Sequence, residues 1–287
     1  MPTMSNNAKR KIPDSDPTLT LPRILCLHGG GTNARIFRMQ CRVLEGTLRS
    51  TFRLVYAEAP FPAQPGPDVT SVYKNHGPFK AWLRITSSDA THEPSHVIER
   101  INSSIEAAMH ADTQAGATGE WIALLGFSQG AKLAASILYA QQVLKQRYVG
   151  VDSAIWPNFR FAVLMAGRGP LVWLLLENYR HIASNFDICA GLVDVTTPSI
   201  GVKEPDIPVD SDAHILRIPT VHIHGLQDPG LRLHRALLNN YFDQELVRVV
   251  EWEGAHRVPL KRKDVDAVVQ EIYALARATG VLGVWGL

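Results

Sequence analysis

The chain has 287 residues, 46% of them hydrophobic and 20% charged, which is an ordinary globular composition with enough length for one large core. A formal net charge of +2, with no basic stretch interleaved with aromatic residues, argues against a nucleic-acid partner. Three cysteines with neither zinc-ribbon nor secreted-disulfide spacing favour a reducing compartment.

Residues 1–22 are predicted to form a polar N-terminal tail. Charge and proline occupy the positions where a signal peptide would need an apolar core, and no apolar run is long enough to cross a bilayer. We therefore expect a cytoplasmic protein with no membrane partner. Lys9, Arg10 and Lys11 can be interpreted as a nuclear address, although three basic residues in a polar tail are more often simply solvated.

Residues 23–287 are predicted to form a single α/β domain. Apolar strand patterns alternate with helical ones, and this alternation indicates a mostly parallel central sheet with helices on both faces. The predicted strands are 23–27, 52–56, 121–125, 159–165, 220–224 and 246–252, and the predicted helices are 36–48, 95–110, 129–145, 231–241 and 265–278.

Two long connections interrupt this alternation. Residues 59–78 are rich in proline and glycine, which predicts a long surface loop. Between about 168 and 218, an apolar run at 171–176 precedes a proline-rich, acidic stretch at 198–212. We interpret this segment as a lid-like insertion; the alternative is a buried crossover helix followed by a disordered loop.

The sequence GFSQG at 126–130 matches the G-x-S-x-G motif directly after a predicted strand and directly before a predicted helix. A hydroxyl is a weak nucleophile, so it must be presented on a tight turn beside a base, and Ser128 meets that need. The alternative is a chance pattern in which Ser128 caps the helix.

Asp228 and His256 complete the chain order of nucleophile, acid and histidine, and each follows a predicted strand. Because the carboxyl ends of parallel strands share one sheet edge, we expect both side chains beside Ser128. His256 is then the general base, and Asp228 the orienter that accepts its Nδ1 hydrogen. Asp228 could instead cap the next helix.

The glycine loop His28–Thr32 follows the first strand, where a hydrolase places backbone N–H groups for the oxyanion together with the amide of Gln129. A phosphate-binding loop is the weaker interpretation because no dinucleotide or P-loop motif is present, and a plain tight turn is the third. His222 and His224 share a strand face, but no third ligand stands at suitable spacing, so no metal is expected.

These motifs together resemble the fungal FSH-type serine hydrolases over residues 23–278. The glycine loop, the serine motif, HGLQDP and GAH carry this resemblance. The subgroup found beside fungal polyketide synthases is similar in four segments: LHGGGTNARIFRMQCR, EAPFP, PGPDVTSVYKNHGPFKAWL and LLGFSQGA. The triad positions carry over to Ser128, Asp228 and His256. The family usually has a bulkier residue soon after the first His-Gly, whereas Gly30 and Gly31 stand here, and this departure leaves open which amide faces the oxyanion. Gly30 is the first candidate and Gly31 the second.

The resemblance implies an α/β-hydrolase that acts as a thioesterase or esterase on polyketide acyl chains, without metal or organic cofactor. It would release product from an acyl carrier domain or clear stalled chains. Phe61, Phe79, Trp82 and the 171–176 run are candidates for an apolar acyl pocket, with plain core packing as the alternative. A general carboxylesterase and a non-catalytic binding protein are the alternative functions, and the oligomeric state is left open.

Overall fold

The computed structural model describes residues 16–67, 69–147, 155–175, 191–200 and 212–283. Alternation of apolar strand patterns and helical patterns produces the six long strands and the long helices that the sequence predicts, whereas the short elements at 61–62, 70–73 and 80–81 were not predicted. The strands of the described residues are β1 (Arg23–Leu27), β2 (Arg53–Ala57), β3 (Phe61–Pro62), β4 (Lys80–Ala81), β5 (Trp121–Phe127), β6 (Phe161–Met165), β7 (Thr220–Gly225) and β8 (Val247–Trp252).

The helices lie between these strands and after the last one. They are α1 (Ala34–Gln40), α2 (Arg42–Leu48), α3 (Thr70–Tyr73), α4 (Pro94–Gln114), α5 (Gln129–Arg147), α6 (Leu231–Tyr241) and α7 (Arg262–Ala278). The predicted helix at 36–48 is two helices, because the chain leaves helical geometry at Cys41 (φ −83°, ψ 2°). No helix among the described residues is both long and apolar enough to cross a membrane.

Six strands form one sheet in the order β2-β1-β5-β6-β7-β8, and every neighbouring pair in it is parallel. The short strands β3, inside the predicted loop at 59–78, and β4, just after it, pair separately as an antiparallel ribbon. The predicted parallel sheet is therefore confirmed, and its topology is that of an α/β-hydrolase. Parallel sheets need cover on both faces, which explains the near-continuous apolar composition of the central strands.

The core lies on both faces of the sheet, because successive side chains of a strand point to opposite sides. In β1, Leu25 and Leu27 belong to one buried cluster, while Ile24 and Cys26 belong to the other. Apolar residues of α4, α5 and α6 cover the first face, and those of α1, α2 and α7 cover the second. The prediction of helices on both faces is confirmed.

The predicted lid-like insertion at 168–218 is described only in part, since 176–190 and 201–211 lie outside the described residues. Leu171, Val172, Leu174 and Leu175 are buried in the core. None of them lines the cavity that opens beside Ser128, which contradicts their predicted role in an acyl pocket, and Leu176 lies outside the described residues. Further along, the backbone N–H groups of Ser199 and Ile200 donate to the carbonyls of Arg84 and Ile85 at 2.9 and 3.0 Å. That the segment acts as a lid stays a prediction.

Candidate active site

Ser128 sits on a sharp turn between β5 and α5. Its φ is +54°, a conformation that costs energy for a residue with a side chain and is found at functional turns. The flanking glycines permit the turn: a Cβ on Gly126 would lie 2.4 Å from the Gly130 carbonyl oxygen, and one on Gly130 would lie 2.0 Å from that of Leu27. The two glycines thus let β5, α5 and β1 meet while the serine hydroxyl projects from the turn.

A second close backbone approach joins the loops after β7 and β8. A Cβ on Gly225 would lie 2.4 Å from the Gly254 carbonyl oxygen, so only glycine allows this contact. The Gln227 N–H donates to the Gly254 carbonyl at 2.9 Å and ties the two loops together. As a result Asp228 and His256, 28 positions apart in the chain, come within contact distance.

The three side chains form a continuous line of hydrogen bonds at the carboxyl edge of the sheet. His256 Nε2 lies 3.0 Å from Ser128 Oγ, and His256 Nδ1 lies 2.7 Å from Asp228 Oδ2. A carboxylate at Nδ1 keeps the proton on that nitrogen, which leaves Nε2 free to accept the hydroxyl proton. The Asp228 side chain is only 1% exposed, whereas that of His256 is 20% exposed and faces the cavity.

Asp228 does not cap α6, which was its alternative interpretation, because the N-cap residue of that helix is Gly230 and no side chain caps it by a hydrogen bond. Its Oδ1 accepts the Gly230 N–H at 2.7 Å, immediately before α6, while Oδ2 faces His256. One carboxylate oxygen therefore fixes the side chain within the turn and the other contacts the imidazole, which favours the orienting interpretation of Asp228.

Hydrogen bonding in the glycine loop distinguishes the two candidates for the oxyanion amide, Gly30 and Gly31. The Gly31 N–H donates to the Lys80 carbonyl at 2.9 Å, so it is not free to face an oxyanion, which contradicts its candidacy. Gly30 lines the same cavity as Ser128, and neither its N–H nor that of Gln129 has a hydrogen-bond partner among the described residues. These two amides are the available pair of donors.

The Gln129 side chain has a role that sequence reasoning missed. Its Oε1 accepts the N–H groups of Trp82 and Leu83 at 2.8 and 3.2 Å, and its Nε2 donates to the Leu83 carbonyl and to Ser199 Oγ. A fully bonded buried amide of this kind holds three distant segments in one arrangement. The motif marks Gln129 only by its place after Ser128, so no local signal predicts these partners.

A cavity of about 1410 Å³ opens beside Ser128 and His256. Phe61 lines it, whereas Trp82 and Phe79 do not, and contact between Phe61 and an acyl chain stays a prediction. Trp82 is fully buried, and its indole N–H donates to the His28 carbonyl at 3.0 Å beneath the glycine loop, so it supports the loop rather than the pocket. The apolar wall instead comes from residues that sequence reasoning did not single out: Leu83, Ile85, Val97, Phe127, Val195, Ile200, Val258 and Leu260.

Histidines other than His256 are buried close to the site. His234, on α6, is fully buried with its Nδ1 3.8 Å from Asp228 Oδ2, and burial lowers its pKa to about 4. Within the described ranges, Asp228, His234 and His256 form the one group of three ligand-type side chains close enough to share a metal ion. His256 is already hydrogen bonded to both Asp228 and Ser128, an arrangement that a metal ion would displace. The absence of a metal cofactor stays a prediction.

The predicted histidine pair on β7 is part of the core. The pKa of His222 is lowered to about 3 by burial, and its Nε2 shares a hydrogen bond with Thr220 Oγ1 at 3.2 Å. Its ring packs edge-on against Phe242 at 4.5 Å between centroids. Neither His222 nor His224 belongs to the group of possible metal ligands formed by Asp228, His234 and His256.

A parallel α/β sheet with a serine on a strained turn after β5, and with an imidazole and a carboxylate aligned on its hydroxyl, defines a serine hydrolase of the α/β-hydrolase class. A family model described as "Serine hydrolase (FSH1)" matches residues 18–268. The chain belongs to this family, and the resemblance read from its motifs is confirmed.

Relatives with assigned names are fungal esterases. Esterase dbaE of Emericella nidulans is 66% identical over 272 residues, which cover 95% of this chain and 96% of that protein. Esterase pigG of Monascus ruber is 52% identical over 268 residues, covering 93% and 96%. The probable esterase azaC of Aspergillus niger is 48% identical over 272 residues, covering 95% and 91%. The chain is thus an enzyme, a serine hydrolase of esterase type.

Proposed function

We propose that the chain hydrolyses an ester or thioester of a polyketide-type acyl chain through a covalent acyl-serine intermediate. Ser128 is the nucleophile, His256 the general base and Asp228 the orienting carboxylate. The observation that carries the proposal is the line of hydrogen bonds from Asp228 Oδ2 through the imidazole to Ser128 Oγ, at 2.7 and 3.0 Å.

The reaction proceeds in two acyl-transfer steps. His256 Nε2 takes the Ser128 proton as Oγ attacks the carbonyl carbon, and the tetrahedral oxyanion accepts hydrogen bonds from the N–H groups of Gly30 and Gln129. The imidazolium then gives its proton to the departing alcohol or thiol, leaving the acyl-serine. Water, deprotonated by His256, attacks this ester and releases the acid, and the proton returns to Ser128.

The cavity favours a bulky acyl group. Its volume of about 1410 Å³ exceeds the roughly 300–1,000 Å³ that ordinary small-molecule pockets occupy. Its aliphatic and aromatic wall suits a long, weakly polar chain better than the short acyl group of a general carboxylesterase substrate. The motif resemblance to hydrolases found beside polyketide synthases supports an acyl carrier domain as the partner that presents the chain, either for product release or for clearance of stalled chains.

The cytoplasm is the proposed location. Cys26 and Cys41 are free thiols buried in the core, which suits a reducing compartment. Neither proposed step requires a metal ion or an organic cofactor, because the imidazole and the backbone amides supply the proton transfer and the charge stabilisation.

The first test is the replacement of the nucleophile. Ser128→Ala should abolish labelling by an uncharged fluorophosphonate and lower ester turnover by about 10³-fold or more, with the melting temperature maintained. Ser103→Ala, on the exposed side of α4, is the matched control and should behave as the wild type. Retained turnover in the Ser128 variant would refute the nucleophile assignment.

The second test concerns the substrate. Hydrolysis of an aromatic polyketide thioester on an isolated acyl carrier domain is compared with that of its simple thiol ester and of a short free ester. Faster hydrolysis of the carrier-bound chain is the expected result. Equal or faster hydrolysis of the short ester would instead favour a general carboxylesterase.

A further inference from the structure

A lysine whose ammonium group has no partner among the described residues lies in the wall of the cavity, one helical turn after Ser128. Lys132 is on α5, where its N–H donates to the Ser128 carbonyl at 3.2 Å, and it is 1% exposed. Side chains on a helix tilt toward its N-terminus, so the Lys132 side chain extends back toward the Ser128 end of α5. Within the described part of the chain its ammonium group makes no hydrogen bond and no ion pair. A buried charge normally has such a partner, because desolvation without one is costly.

Arg168 is a second cation in the same wall, in the loop that follows β6. It too forms no ion pair among the residues that the structure describes. A Cβ on Gly230 would lie 3.3 Å from Arg168 Nη2 and 3.2 Å from Asp228 Oδ1, so the guanidinium group lies beside the turn that holds Asp228. That carboxylate is already engaged by His256 and by the Gly230 N–H.

The two cations repel each other. Burial first, and the charge of Arg168 second, lower the pKa of Lys132 to about 8, so Lys132 is still mostly protonated at neutral pH. Two cations that line one cavity, neither with an ion pair among the described residues, are the arrangement that a bound anion would stabilise.

The remaining charges of the cavity have the same bias. Of the residues that the structure describes, five lysines or arginines line it, against one carboxylate, that of Asp89. The Asp89 carboxylate accepts the N–H groups of Ile85 and Thr86 at 2.9 and 2.8 Å, which satisfies it locally. The positive end of the α5 dipole adds to this field beside Ser128.

We propose that Lys132 and Arg168 form an anion subsite that binds a carboxylate on the acyl part of the substrate, a few bonds from the carbonyl that Ser128 attacks. This inference rests on the proposed function and adds a substrate class to it: acidic acyl chains. The phosphate of a carrier arm fits this subsite less well for two reasons. A long uncharged chain separates the phosphate from the thioester, and the leaving group departs through the open mouth of the cavity, away from the nearly inaccessible Lys132.

The test uses one acidic substrate and its uncharged twin. The value of kcat/KM for the para-nitrophenyl half-ester of adipic acid is divided by that for the para-nitrophenyl methyl diester, at neutral pH. The wild type should prefer the acid. Because a charge-assisted hydrogen bond is lost, Lys132→Met should lower this ratio about tenfold or more, and Arg168→Met should lower it in the same direction.

The matched control is Lys145→Met, which makes the same substitution on the exposed C-terminal part of α5 and should leave the ratio unchanged. Melting temperatures check folding. Lys132→Met should melt no lower than the wild type, since it removes an unpaired buried charge. Should that variant not fold, the Arg168 variant tests the subsite alone.

A ratio near one in the wild type, or a ratio that neither substitution changes, would overturn the subsite. Equal losses on both esters would show that the lysine serves the oxyanion or the fold instead, and would also overturn it. Labelling by an uncharged fluorophosphonate tests the proposed function separately, because the probe reacts with Ser128 whether or not an anion subsite exists. Labelled Ser128 with an unchanged ratio rejects the subsite alone, whereas unlabelled Ser128 rejects both.

Discussion

The exchange of Asp228 for asparagine isolates the orienting role of the carboxylate. The Gly230 N–H donates to Oδ1 at 2.7 Å, so the carbonyl oxygen of an asparagine takes that place and its NH₂ group is turned toward His256 Nδ1. A donor at Nδ1 requires an unprotonated Nδ1, which moves the imidazole proton to Nε2. Nε2 then donates to Ser128 Oγ instead of accepting its proton, and the general base is lost.

The expected loss is about 10⁴-fold in kcat, equivalent to about 5.5 kcal/mol of transition-state stabilisation. KM should change little, because the Asp228 side chain is 1% exposed and lies outside the cavity wall. Steady-state kinetics on an uncharged para-nitrophenyl ester measure both constants, with Asp266→Asn on the exposed side of α7 as the control. A loss smaller than tenfold, or one confined to KM, would refute the reasoning about the tautomer.

Three further predictions concern stability and follow from burial and close contacts. Because the pKa of Lys132 is lowered from 10.5 to about 8 in the folded state, the wild type should gain up to about 3 kcal/mol of unfolding free energy between pH 8 and 10.5. Lys132→Met should lack that gain in urea unfolding, and equal pH slopes would contradict the prediction. Burial lowers the pKa of His222 from 6.5 to about 3, so the free energy of unfolding should fall as the pH drops below 6.5. It should fall less in His222→Leu, and parallel acid profiles of the two proteins would count against this prediction. Gly130→Ala places a Cβ 2.0 Å from the Leu27 carbonyl oxygen and should lower the free energy of unfolding by about 3 kcal/mol or more. Gly46→Ala, in open space on α2, should instead raise it by roughly 0.5–1 kcal/mol, and similar melting temperatures of the two variants would argue against a steric role.

The sequence by itself determined the elements and the order of the chemical groups. Apolar runs and helical spacing are local patterns, so they predict strands and helices without knowledge of contacts. The turn at Ser128 is equally local, because the glycines on either side are the residues that its close approaches require. Asp228 and His256 could be selected because each follows a strand, and parallel strands end at one edge.

Only the tertiary structure decided which groups face the cavity. Trp82 carries the composition of a pocket residue, yet its indole N–H is taken by the His28 carbonyl beneath the glycine loop. Gly31 and Gly30 are indistinguishable in the motif, and a single hydrogen bond from Gly31 to Lys80 separates them. Lys132 lies in a helical pattern that gives no sign of burial without a partner. These outcomes depend on contacts between segments distant in the chain, and no local periodicity encodes such contacts.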